Sequence, residues 1–209
     1  MTRPVTVAVV AFAGFNEIDV LANLHILNRV TRTRPHLDLV ARLVGAAPTL
    51  RSMYDLDVAV QAPLDSVVDA DAVVIGSGGT LAALDDPEIM ATLGRIDPAV
   101  QLVGSQCSGA LVLHRLGLLG DRPACTDDRF RPLLEAAGVT VLDQPFVAHG
   151  NLATAGGCLA STHLSAWLLS RLVDPGAAAD TLATVAPVGR QPEFVADVMK
   201  SISPERPIP

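Results

Sequence analysis

The chain carries a single lysine, Lys200, and its 15 basic residues are outnumbered by 22 acidic ones, for a net charge of −7. No basic cluster occurs anywhere, which excludes the electrostatic footprint of a nucleic-acid or anionic-membrane binder. Cysteine is nearly as scarce. Cys107, Cys125 and Cys158 are too few and too widely spaced for a disulfide framework, and the absence of any C-x-x-C leaves them as expected free thiols. The five histidines include no pair at metal-ligand spacing, so a dedicated zinc site is not expected. Long apolar runs are missing too. Val5 to Ala13 and Ala72 to Ile75 are strand-sized, far short of the ~20 residues that span a bilayer. Met1-Thr2-Arg3-Pro4 leads straight into a strand-like run without the h-region or A-x-A site of a signal peptide, which predicts a cytoplasmic location. Neither G-x-x-x-x-G-K-S/T nor G-x-G-x-x-G occurs, so no phosphate loop is present.

What is present is apolar and orderly. Half of the 209 residues are hydrophobic and 18% are charged, enough for one domain with a substantial core. The 16 glycines and 15 prolines form no low-complexity tract, which excludes disordered and fibrous classes. Short continuous apolar runs alternate with longer amphipathic ones, the pattern of an α/β protein whose mostly parallel sheet is covered by helices on both faces.

Strands are predicted at Val5 to Phe12, Leu37 to Val44, Asp71 to Ile75 and Gln101 to Ser105, with a hairpin or short strand pair over Thr49 to Ala62. Shorter strands are predicted at Ala124 to Thr126, Val139 to Leu142, Phe146 to Ala148 and Leu152 to Thr154. Helices are predicted over Glu17 to Val30, from Asp86-Pro87-Glu88, over Ala110 to Leu119, Asp127 to Ala137 and about Leu159 to Val173. One or two more follow Pro175, and Pro204 to Pro209 form a tail.

In such a sheet, sites form beyond the carboxyl ends of the strands. Ser105-Gln106-Cys107-Ser108-Gly109 follows a buried strand and opens a helix, the setting of a nucleophile elbow whose small neighbours permit a strained turn. A thiol there gains from the helix N-terminus, which is expected to lower its pKa from about 8.5 toward ~3.5–7.5. For Cys125 and Cys158 a structural role is the plainer reading, although both lie near strand ends that could line the same cleft. Gly78-Gly79-Thr80 follows the neighbouring strand, where its amides, with those of Cys107 or Ser108, could form an oxyanion hole. Glu17 and Asp19 open the first helix. Dipole capping explains both, but Glu17 is also a candidate substrate-binding residue, and Asp19 between Ile18 and Val20 suits a carboxyl held protonated or poised as a general acid/base.

These features, in this order, resemble the ThiJ/PfpI superfamily over about residues 5–173. They are Phe12 to Asp19 before a helix, Gly78-Gly79-Thr80, Cys107-Ser108-Gly109-Ala110-Leu111-Val112-Leu113 leading to Gly117-Leu118-Leu119, and Gly150-Asn151-Leu152-Ala153-Thr154-Ala155-Gly156-Gly157. Within that superfamily the sequence is most similar to isonitrile hydratases. The resemblance implies a class I glutamine amidotransferase-like, flavodoxin-like three-layer sandwich and a homodimer. It also implies a cofactor-free mechanism on a small electrophile: Cys107 as nucleophile, Asp19 as the acid/base that hydrogen-bonds it, and Ser108 in place of the family's threonine. In isonitrile hydratases the thiolate attacks the terminal carbon of R–N≡C, a thioimidate forms, and water releases the N-substituted formamide.

The chain departs from the family where Thr-Thr-His-Trp is usual, reading Cys125-Thr126-Asp127-Asp128, and where it has Ala160-Ser161-Thr162-His163. Asp127 and His163 are therefore expected at the cleft wall or entrance, and an altered substrate with retained thiol chemistry is implied. Competing readings are a glyoxalase or deglycase acting on α-oxoaldehydes, an oxidation-sensing protein without catalysis, and a biosynthetic enzyme with another electrophilic substrate.

Overall fold

The computed structural model describes residues 3–203. Its centre is a seven-stranded sheet built from β1 (Val5–Val10), β2 (Leu39–Gly45), β5 (Ala62–Pro63), β6 (Ala72–Ile75), β7 (Leu102–Gln106), β8 (Phe146–His149) and β9 (Leu152–Ala155), in the order β5-β2-β1-β6-β7-β9-β8. All pairings are parallel except that of β8 with β9. The inner strands are buried on both faces because they are runs of valine, isoleucine and alanine with no polar alternation, as in Ala72–Ile75. β3 (Thr49–Arg51) and β4 (Asp57–Ala59) form a separate antiparallel pair, so the predicted hairpin exists but stands outside the main sheet.

One face is covered by α1 (Glu17–Thr33), α6 (Ser161–Leu172), α7 (Pro175–Val185) and α8 (Gln191–Ser201). The other is covered by α3 (Pro87–Leu93), α4 (Gly109–Arg115) and α5 (Arg131–Ala136), with a 3-10 turn at Leu64–Val67. This is the α/β architecture that the apolar pattern predicts, in the three-layer, flavodoxin-like form that the resemblance implies. Asn16 starts α1 by accepting from the amides of Ile18 at 3.0 Å and Asp19 at 3.3 Å, which satisfies donors the helix itself cannot. Asp86 does the same for α3, with Pro87 at its first position. Among the described residues, no helix is long and apolar enough to cross a membrane.

The differences from the sequence reading lie in the loops. α4 is seven residues long, shorter than predicted, because Gly117 at φ +74° turns the chain before Leu118. The predicted strands at Ala124 and Val141 reduce to a single bridge. Asp127 caps a turn rather than a helix, accepting from the amides of Arg129 and Phe130. A short helix, α2 (Thr80–Leu84), follows Gly79 where only a turn was read. The Pro204 to Pro209 tail lies outside the described residues.

Candidate active site

The carboxyl ends of β1, β6 and β7 open onto one cavity of about 450 Å³, lined in part by Asn16, Asp19, Ser77, Gly78, Gly79, Thr80, Cys107, Asp127 and Cys158. Glycines bring these ends together. A Cβ on Gly109 would lie 2.5 Å from the carbonyl oxygen of Ile75, so only glycine lets the chain after Cys107 press against β6. Gly79, at φ +60°, would place a Cβ 1.9 Å from the carbonyl oxygen of Ala13. Gly79→Ala is therefore expected to cost about 3 kcal/mol, through both the clash and the left-handed backbone. Thermal denaturation checks this, and an unchanged midpoint would refute the packing argument.

Cys107 has φ +47°, a conformation that non-glycine residues adopt only where the surroundings impose it. Its amide donates to the Ala155 carbonyl at 2.8 Å and its own carbonyl accepts from the Ala110 amide at 3.1 Å. The thiol is thereby aimed out of the strand end into the cavity, 3.6 Å from Nε2 of Gln106. Asp19 faces it from α1 and is 1% exposed. Ser77 donates its hydroxyl to Asp19 Oδ2. Asp19 Oδ1 is buried and accepts from no nitrogen or oxygen donor. Behind the carboxyl, Asn23 donates to the Asp19 carbonyl at 2.8 Å and accepts from Ser165 at 2.8 Å, which fixes the first turn of α1 to α6.

The electrostatics reverse one expectation. Burial is the main cause of a strong rise in the pKa of the Cys107 thiol, followed by the Asp19 carboxylate and, at longer range, Asp127. A helix of seven residues does not offset a buried thiol beside a carboxylate. Cys158 is pushed up to about 11, first by burial and then by the same Asp19. Asp127 is also raised, mainly by burial. Glu17 is lowered, chiefly by the hydrogen bond from Ser52.

A thiol whose folded pKa lies above its unfolded value stabilises the fold below about pH 8.5 and loses that contribution as pH rises toward the folded value. Stability should thus fall between pH 8.5 and 10.5 by up to about 1.4 kcal/mol per pH unit for each such thiol. Cys107→Ser should flatten that decline. Equal slopes for the two proteins in denaturant titrations would contradict the burial of this thiol.

Not every candidate residue reaches the cavity. Ser108 lies behind the elbow, its Oγ 2.7 Å from Oγ1 of Thr80 and accepting from the Gly78 amide at 3.2 Å. It ties the two loops together. Because the Gly78 amide is used there and the Cys107 amide by Ala155, Gly79, which lines the cavity, is left as the oxyanion donor among the residues expected in that role. Glu17 points away, to Ser52 and the amide of Tyr54. His163 sits in the first turn of α6 beside Thr162 and is not in the cavity wall.

The structure adds Asn16, Ser77, Gln106 and Cys158 to the site. Ser77 was visible within Gly76-Ser77-Gly78-Gly79-Thr80, a segment first read only for its amides. A larger cavity of about 720 Å³ lies elsewhere, against Phe146, Trp167, Met199 and Ile202, and contains no thiol and no carboxylate.

Residues 5–170 match the model of the DJ-1/PfpI family. The chain belongs to this family. Among solved structures, this DJ-1/PfpI protein is similar to a ThiJ/PfpI family protein from Pseudomonas syringae, at 21% identity and TM-score 0.76, covering 95% of this chain and 89% of that one. It is also similar to a DJ-1 point mutant from Schizosaccharomyces pombe, at 19% identity and TM-score 0.74 over 88% and 100% of the two chains. A cysteine-to-alanine mutant of a DJ-1 superfamily protein from Salmonella typhimurium is 26% identical, with TM-score 0.70 over 86% and 97%. No curated protein matches the chain at a significant level.

Proposed function

We propose that this DJ-1/PfpI protein is a cofactor-free hydratase that adds water to a small isonitrile through a thioimidate on Cys107. The observation that carries this reading is the pairing of a buried, protonated thiol with a buried carboxylate in a cavity whose described wall contains no histidine. Hydration of R–N≡C begins as a net addition of S–H across the terminal carbon, so the site needs the proton as much as the sulfur. The Cys107 sulfur attacks that carbon while the thiol proton passes through Asp19 to the same carbon. A C–S and a C–H bond form, one carbon–nitrogen bond is given up, and neutral Cys107–S–CH=N–R results. Water then adds to the thioimidate carbon, its proton reaches nitrogen by way of Asp19, and the C–S bond breaks to release R–NH–CHO and restore the thiol.

No full charge builds up in the cavity along this route, which suits a low-dielectric setting where isolated charges are costly. Gly79, in the cavity wall, offers its amide to support the carbon–nitrogen group as its polarity grows. A glyoxalase reading is less well supported, because proton shuttling between adjacent carbons of an α-oxoaldehyde draws on a second base, and among the described residues the cavity wall offers no histidine and only Asp127, which already accepts from the amides of Arg129 and Phe130. Incubation with p-nitrophenyl isocyanide tests the reading, with formamide as the expected product. A folded, thiol-reactive protein that forms none would refute it and redirect the assay to α-oxoaldehydes. The same reading carries a homodimer, which light scattering on the purified protein checks.

A further inference from the structure

Cys158 lines the same cavity as Cys107, yet addition to an isonitrile uses only one thiol. It begins a 3-10 turn, Cys158–Ala160, that leads into α6. Several contacts tie it to the nucleophile. The Gln106 amide nitrogen lies 3.6 Å from the Cys107 sulfur and donates at 2.8 Å to the carbonyl of Gly157, the residue before Cys158. Asn16, which caps the helix that carries Asp19, places its own amide nitrogen 3.6 Å from the Cys158 sulfur. The buried carboxylate of Asp19 acts on both thiols. Cys125, by contrast, is fully buried and outside the cavity wall.

We propose that Cys158 is a resolving thiol: a hydroperoxide entering the cavity oxidises Cys107, and Cys158 closes the product to a reversible Cys107–Cys158 disulfide. In the first step the Cys107 thiol gives its proton to Asp19 and the sulfur attacks the peroxide. The O–O bond breaks, the sulfur becomes a sulfenic acid, and the leaving oxygen takes the proton from Asp19 to depart as water or an alcohol. In the second step the Cys158 sulfur displaces the sulfenic hydroxyl, an S–S bond forms, and water leaves with the Cys158 proton. A dithiol reductant returns both thiols and is itself oxidised to a disulfide. The residue before Cys158, Gly157, has φ +86° and nothing within 4 Å of where a Cβ would stand, and glycine has the widest backbone freedom for the turn that brings Cys158 to Cys107; that turn gives up the hydrogen bond from Gln106 to the Gly157 carbonyl.

The test treats the reduced full chain with hydrogen peroxide, alkylates the remaining thiols and reads intact mass and linked peptides. The wild-type protein is expected to lose two hydrogens, to yield a peptide joining Cys107 to Cys158, and to recover both thiols with dithiothreitol. Cys158→Ser and Cys158→Ala should instead gain two oxygens at Cys107, with the irreversible fraction about tenfold higher than in wild type. Accumulation of that dioxygenated form in wild type at the variants' rate would overturn the proposal. So would a linkage through Cys125. The wild-type peptide map decides the question even if neither variant folds.

Discussion

Cys107→Ala is expected to lower formamide production from p-nitrophenyl isocyanide by at least about 10³-fold with the fold intact. Covalent addition divides hydration into two steps. Without the sulfur, water itself must attack a carbon that carries a lone pair, and what remains of the cavity only binds the substrate. The substitution is also clean structurally. Alanine keeps the Cβ, so it carries the same left-handed backbone cost as the cysteine it replaces, and both main-chain hydrogen bonds of residue 107 persist. The thermal midpoint should move by no more than about 1–2 kcal/mol would produce. Retention of more than a tenth of the wild-type rate by a folded Cys107→Ala protein would show that the nucleophile is not Cys107. Adding Cys158→Ala to that variant would then tell whether the second thiol carries the reaction.

Asp19→Asn is expected to move two rates in opposite directions. Turnover should fall by about 10²–10⁴, because the amide cannot carry the proton from sulfur to carbon or from water to nitrogen. Alkylation of Cys107 by iodoacetamide at a fixed mildly alkaline pH should become faster. The Asp19 carboxylate is one of the groups holding the thiol in its protonated form, and removing its charge lowers the thiol pKa and raises the thiolate fraction. In wild type the alkylation rate should still be climbing above pH 9. A variant that loses turnover and thiol reactivity together would mean that Asp19 serves as the base of the resting thiol, and the proton-delivery mechanism would be wrong.

The fold was legible because its information is local and repeated. Val5–Val10, Ala72–Ile75 and Leu102–Gln106 are apolar without alternation, and helices separate them, which leaves few arrangements other than a parallel sheet covered on both faces. The elbow was legible for a similar reason: Ser105 to Gly109 places a reactive side chain among small neighbours at a strand end. What could not be read was the setting of each charge. The order Ile18-Asp19-Val20 shows an acid in apolar company, but not that Ser77 from another strand end would donate to it or that two thiols would share its surroundings. The rise in the Cys107 pKa comes first from burial and then from the Asp19 carboxylate, neither of which the local sequence shows, whereas the expected fall rested on the start of a helix that proves to be seven residues long. Ser108 and Glu17 illustrate the same limit. Both are polar residues beside the site in sequence, and both are spent on loop architecture instead.

The close approach of Gly109 to the Ile75 carbonyl and of Gly79 to the Ala13 carbonyl divides the pocket into two parts with unequal freedom to change. The side bearing Cys107, Ser77 and Asp19 is clamped backbone to backbone, so a side chain added at either glycine costs stability before it can reshape the cavity. The rim also includes Met53 and Leu81, whose side chains are exposed to solvent, and a larger or smaller residue there leaves the core in place. Selection for a new electrophile, in nature or in a directed library, would draw its successful variants from these two positions first, while the glycines and the acid stay as they are.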